Sequence, residues 1–179
     1  ARNALRYDGT QSAHVNEFTD SIGNLEWQKG SALSTVNHNL TDGTISHSTD
    51  GELLFTYGDS PMQLNGAASM DVSFPDMENS RTALVFRAKD SNNLSFVGVE
   101  STTNIRIREM TDGNLTDLEI SGLSLPSSFK LKVEYVEDKL TVYAITNTGT
   151  AVLYDGFRPI ASKSGDNPVL PPIWGRVGV

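Results

Sequence analysis

The chain contains no cysteine at all and only three histidines in 179 residues. Without cysteine there is neither a disulfide scaffold nor a thiolate zinc site, and the compartment stays open, because exported domains need not be cross-linked. A nucleophile triad would need His14, His38 or His47, all of which fall in the N-terminal quarter among Ser, Thr and Asn, the pattern of solvated loop histidines. No G-x-S-x-G elbow, H-E-x-x-H helix, G-x-G-x-x-G turn or G-x-x-x-x-G-K-[ST] loop occurs. Basic residues are scarce too: 14 Lys and Arg stand against 22 Asp and Glu, a formal charge of −8. That balance excludes nucleic acid and anionic membrane surfaces as natural partners, since both need a concentrated basic face. No apolar run approaches the ~20 residues of a membrane span, and ARNALRYDG lacks the charged region followed by an apolar core that would make a signal peptide visible.

Helical periodicity is also missing. What is present is alternation with a period of two: Leu53, Phe55 and Tyr57; Met70, Val72 and Phe74; Leu84, Phe86 and Ala88; and Phe129, Leu131, Val133 and Tyr135 set against Lys130, Lys132 and Glu134. The VEDK turn then leads into Leu140, Val142 and Ala144, which predicts a hairpin with one wet face. Clusters of Gly, Asn, Asp and Ser punctuate the chain every ten or so residues. The expectation is an all-β, two-sheet antiparallel jelly-roll sandwich with little helix, one domain over residues 1–179, with 161–172 as its longest irregular loop. At this length a single core buries roughly two thirds of the unfolded surface.

Catalytic carboxylates were sought as an alternating strand that aims two acids into one cleft. Neither VEYVED nor EMTDGNLTDLE does so, since each spends its acids across a turn or on opposite faces, and the reading is of a protein that is not an enzyme. Loops at Asp90–Asn93 and Asp112–Asp117 gather hard oxygen atoms without matching an EF-hand. They leave room for a structural calcium, with no cofactor required.

Arginines interrupt the middle strands. A strict period of two puts Leu84, Phe86 and Ala88 inward and Ala83, Val85, Arg87 and Lys89 outward. The next segments give Val97, Val99, Ile105 and Ile107 inward, with Phe96, Gly98, Glu100, Asn104, Arg106 and Arg108 outward. If the three strands are neighbours, Arg87, Glu100, Arg106 and Arg108 share one open face. Such a patch either pairs its own charges or presents fixed guanidinium donors to sugar hydroxyls, with Gly98 leaving room for a ring. Aromatic platforms are the other device for sugars, and Trp27, Trp174, Tyr57 and Tyr154 are candidates for it.

The succession TALVFRAKDSNNLSFVGVE, NIRIREMTDGNLTDLE, SFKLKVEYVEDKLTVYAITNTGTAVLYDG and WGRVGV resembles the laminin-G-like or concanavalin-A-like jelly-roll modules of bacterial secreted proteins, over residues 17–179. Within that group it is most similar to the fructan-binding type of carbohydrate-binding module attached to levanases and related glycoside hydrolases. The resemblance implies a secreted or cell-surface, noncatalytic module, monomeric within a longer multidomain chain, that binds a polysaccharide or glycan. Ligand-binding positions carried over are Arg87, Asp90, Asn92 with Asn93, and Glu100; Arg106 and Arg108 join them from the strand pattern, and Trp174 as an aromatic platform beside the Pro-rich loop. Phe129 stands where such modules often have tryptophan, and the chain stops at RVGV where they continue into one more strand. A structural or adhesive spacer domain of a surface adhesin is the alternative reading, and a small jelly-roll glycosidase a third.

Overall fold

A computed structural model describes residues 5–8, 13–16, 25–29, 36–39, 44–47, 54–57, 65–73, 82–90, 92–159 and 175–178, with side chains placed for 65–73, 82–90, 92–159 and 175. Every regular element among them is a strand, and none is a helix. Two antiparallel sheets stack as a jelly-roll sandwich. The first, six-stranded, runs β14 (Gly149–Phe157), β13 (Lys139–Thr146), β12 (Ser128–Val136), β7 (Gly66–Ser73), β1 (Leu5–Asp8) and β2 (Ala13–Asn16). The second, seven-stranded, runs β11 (Asn114–Ile120), β10 (Ile105–Thr111), β9 (Asn93–Val99), β8 (Thr82–Asp90), β15 (Arg176–Gly178), β6 (Leu54–Tyr57) and β3 (Leu25–Lys29). A separate ribbon pairs β4 (Val36–Asn39) with β5 (Thr44–His47).

Alternation builds the core as expected. Phe129, Leu131, Val133 and Tyr135 of β12, with Leu140, Val142 and Ala144 of β13, face Leu84 and Phe86 of β8, Val97 and Val99 of β9, and Ile105 and Ile107 of β10. Lys130, Lys132 and Glu134 line the other face of β12. The β12–β13 hairpin turns at Glu137–Asp138, with Glu137 at φ +52°. His14, His38 and His47, expected in loops, fall in β2, β4 and β5, and their side chains lie outside the described residues, as does the 161–172 segment.

One strand breaks the period. On β8, Phe86 opposes Ser95, but the next register pair is Asp90 with Asn93, so three β8 residues bulge opposite one of β9. Arg87 sits at the bulge with φ +52°, a left-handed conformation that costs a non-glycine residue about 1 kcal/mol or more. The bulge reverses the faces: Arg87 points into the sandwich and Ala88 points out. Ala88 joins Val85, Leu94, Phe96 and Met110 in a second apolar cluster on the outer face of the seven-stranded sheet. Gly175 packs on the same bulge. A Cβ there would lie 2.4 Å from the carbonyl carbon and oxygen of Ala88, so only glycine lets that backbone approach.

Candidate functional site

The outward strand pattern holds for two of the three central arginines. Arg106 and Arg108 of β10, opposite Gly98 and Phe96 of β9 and Glu119 and Asp117 of β11, stand on the outer face with Glu100 at the end of β9. Arg106 Nη1 donates to Asp117 Oδ2 and Nη2 to Glu119 Oε2 at 2.8 Å, while Asn104 Nδ2 donates to Glu119 Oε1 at 3.2 Å. The Arg106 pKa is raised by the Asp117 hydrogen bond and charge, then by Glu119 and Glu100.

Arg108 is held differently. Its guanidinium lies 5.7 Å from the centre of the Phe96 ring, a cation–π contact, and reaches Glu100 Oε1 and Asp117 Oδ1 only at 3.5 Å. Those are ion pairs rather than good hydrogen bonds, and Nε, shielded from water, makes none. A Cβ on Gly98 would meet Glu100 Oε1 at 3.5 Å, ordinary contact, so the carboxylate already leans over the space the glycine leaves. The patch therefore combines two fixed guanidinium planes, three carboxylates and an amide, partly exposed, with Arg108 donors left to spend.

Arg87 does not belong to this patch. Its expected place on the outer face is corrected by the bulge: it is fully buried, donates through Nη2 to the Glu137 carbonyl and lies 4.9 Å from the centre of the Tyr135 ring. Burial pulls its pKa below the ordinary value, against the opposing charge of Glu109. Glu109 faces inward in the same row as Ser95 and Phe86. Arg158, just past β14, completes the cluster: Nη1 donates to Glu109 Oε1 at 2.7 Å and Nε to Asp138 Oδ1 at 2.6 Å, and its own N–H donates to the Asp138 carbonyl at 2.8 Å. The Glu109 carboxyl is pushed up by burial, although Ser95, Arg158 and Arg87 all pull it down. Burial also opposes the Arg158 charge, but the bond to Glu109 and then Asp138 more than restores it. Charged groups thus plug one end of the hydrophobic core and tie together β8, β10, the β12–β13 turn and the exit from β14.

Asp90 and Asn92 occupy the exposed β8–β9 turn. Asp90 Oδ1 accepts from Asn92 N at 2.8 Å and Asn93 Nδ2 at 2.9 Å, and the Asn93 hydrogen bond is the main reason its pKa is lowered. Asn93 Oδ1 accepts from Asp112 N, and Gly113 N donates to the Asn92 carbonyl at 3.0 Å, so the two turns once considered for calcium brace each other. No group of three or more His, Asp or Glu side chains among the described residues is placed to share a metal ion. The structure thus separates the expected ligand set into the Glu100–Arg106–Arg108 patch, the interior Arg87 and the turn at Asp90–Asn92. Trp174 lies outside the described residues, as do the side chains of Trp27 and Tyr57, while Tyr154 packs partly buried against the core.

Sequence reasoning missed Asn104, Asp117 and Glu119, although the turn at Asp112–Gly113 fixes the register that sets Asp117 opposite Arg108 and Glu119 opposite Arg106. Continuing the alternation Ile105, Ile107 by one step reaches Glu109, a legible signal. Nothing in the local pattern points to Arg158.

Comparison with solved structures gives a likeness in fold. A solved structure titled carbohydrate-binding module CBM66 from Bacillus subtilis superposes with a TM-score of 0.55 at 16% identity, covering 75% of this chain and 76% of that one. The likeness shows the fold. No protein-family model matches the sequence, and no curated protein matches it.

Proposed function

We propose that the chain is a noncatalytic carbohydrate-binding module that recognises a glycan or polysaccharide through the outer patch of Glu100, Asn104, Arg106, Arg108, Asp117 and Glu119. The observation that carries the reading is Arg108. Its guanidinium carbon lies 5.7 Å from the centre of the Phe96 ring, and its carboxylate neighbours stay at 3.5 Å. The side chain is 22% exposed and its Nη2 reaches Glu100 only at 3.5 Å, so its terminal N–H groups are the donors that a ligand hydroxyl can take. Arg106, locked on two carboxylates, supplies a rigid wall, and the carboxylates offer paired acceptors for adjacent hydroxyls. With two guanidiniums and three carboxylates, the patch suits an uncharged polyol better than a phosphate or sulfate.

The neighbour of the same fold is by its title a carbohydrate-binding module, which supports the ligand class but not the sugar. Of the acids around the patch, Asp117 and Glu119 grip Arg106, and Glu109 is sealed in the core. On this reading the module is secreted or displayed at the cell surface and concentrates an attached domain on its polymer, an effective-concentration effect rather than chemistry.

Affinity electrophoresis of the chain in gels containing levan, inulin, mixed-linkage glucan or xylan, with a glycan array that includes sialylated glycans, tests this. Retardation or binding by at least one glycan, lost on Arg108→Ala with unchanged melting, is expected. No retention on any of them, with the fold intact, rejects it.

A further inference from the structure

Three of the four large hydrophobic side chains that stand exposed among the described residues lie on the outer face of the six-stranded sheet: Val136, Val152 and Phe157. Strand register arranges this face in rows. Val136 opposes Lys139, which opposes Phe157; Glu134 opposes Thr141, which opposes Asp155; Lys132 opposes Tyr143, which opposes Val152. Apolar and aromatic rows thus flank a hydrogen-bonding one. The Phe157 and Tyr143 rows lie four residues apart along β13, ~13 Å at strand rise.

Both rings are held from behind. Phe157 is 65% exposed, yet its backbone is fixed on two sides. Tyr154 bends across Gly156, where a Cβ would lie 2.6 Å from the phenol oxygen, to donate to the Phe157 carbonyl at 2.5 Å. The next residue, Arg158, is buried in the ionic plug. The Tyr143 hydroxyl donates to Glu134 Oε2 at 3.0 Å, and the other oxygen of that carboxylate pairs with Lys132 at 2.7 Å. Phe157 is thus exposed on a fixed backbone and Tyr143 is half-buried and tied through its hydroxyl, with Lys139 and Lys132 Nζ at 5.8 and 5.9 Å from the respective ring centres; side chains held in this way lose little entropy when a ligand stacks on them.

The face also indicates the occupant. Its three lysines, Lys130, Lys132 and Lys139, balance Asp71, Glu134 and Asp155, and two of them are paired in place at 2.6 Å and 2.7 Å. Among the described residues this face offers no net charge to a charged partner. Its exposed apolar side chains do not form one continuous patch: Val136 and Phe157 lie in one row and Val152 in another, with the polar Glu134–Thr141–Asp155 row between them, unlike the apolar centre of a stable protein interface. An amphipathic, uncharged ligand with flat apolar faces and hydroxyl edges fits both limits.

We infer that the outer face of the six-stranded sheet is a second glycan-binding surface, on which an extended neutral oligosaccharide stacks on Phe157 and Tyr143 while its hydroxyls meet the Glu134–Thr141–Asp155 row. The ligand class rests on the carbohydrate reading above, but the surface is separate from the Arg108 patch on the opposite sheet.

The test compares Phe157→Ala, Phe157→Tyr and Tyr143→Ala with Arg108→Ala, each as the full chain, by affinity electrophoresis against levan, inulin, mixed-linkage glucan and xylan. Phe157→Ala is expected to weaken binding to at least one polymer about two- to tenfold, with Phe157→Tyr restoring it and melting unchanged. Should Phe157→Ala bind every polymer as wild type does while Arg108→Ala loses binding, this second surface is refuted and the first stands. Loss with Phe157→Ala but not with Arg108→Ala supports the second surface and refutes the first. Wild-type chain that binds no polymer overturns both.

Discussion

Replacing Glu109 by leucine is the sharpest probe of how the sandwich end is held. The carboxylate and Arg158 meet at 2.7 Å with side chains only 2% and 1% exposed, and Arg87 adds a second buried guanidinium nearby. Removing the carboxylate strands two like charges in the low-dielectric interior. Breaking such a pair by deleting one partner costs about 3–5 kcal/mol, a large part of the roughly 5–15 kcal/mol that holds a domain together. Arg158→Leu alone should cost a similar amount, because it leaves Glu109 buried and unpaired. The double variant removes both partners of that pair, Asp138, half exposed, can turn to water, and Arg87 loses the Glu109 charge and the Arg158 repulsion together while keeping its bond to the Glu137 carbonyl. It should be destabilised by clearly less than the sum of the singles, with a coupling of about 2–3 kcal/mol. Urea unfolding followed by circular dichroism measures all four corners of the cycle, and each single variant should melt roughly 6–20 °C lower. Single costs below ~1 kcal/mol that simply add in the double would show that this cluster does not hold the sandwich end.

Gly175→Ala should destabilise by about 1–3 kcal/mol, read by the same unfolding experiment, because its Cβ would strike the backbone of the β8 bulge. Tyr154→Phe should cost about 0.5–1.5 kcal/mol through loss of the bond to the Phe157 carbonyl, and should weaken any ligand that stacks on Phe157. The Glu134 carboxyl lies below its ordinary 4.5, chiefly through the Lys132 hydrogen bond and with help from Tyr143. A lowered folded pKa means stability that is present above 4.5 and lost as the pH falls through the folded value. Glu134→Gln should therefore be less stable than wild type at neutral pH and converge with it in acid, and parallel stability curves down to pH 2 would contradict the assignment.

Where the chain alternates without interruption, its fold was legible. Phe129 to Tyr135 and Leu140 to Ala144 face the core as their period requires, and the turn between them falls where VEDK places it. Arg106 and Arg108 likewise stand outward with Glu100. The bulge was not legible: nothing in TALVFRAKD announces that Arg87 will take a left-handed φ and turn inward, since arginine has no preference for that region. That single irregularity moves one arginine from surface to core and Ala88 from core to the outer cluster. Phe96 was placed on the correct face but is buried there, because the outer face carries its own apolar cluster. The long-range pairing of Arg158 with Glu109 depends on how strands order in the sheets, which local pattern does not encode.

The most direct test of the account is an NMR titration of the isotopically labelled chain with an oligosaccharide from whichever polymer retards it. The account predicts that the Arg108 side-chain N–H signals and the backbone amides of Gly98, Glu100 and residues 104–108 shift as the sugar saturates, because a hydroxyl takes up terminal guanidinium donors that Arg108 holds only in a 3.5 Å ion pair. Saturable binding that leaves all of those signals unmoved would contradict the Arg108 patch as the sugar site.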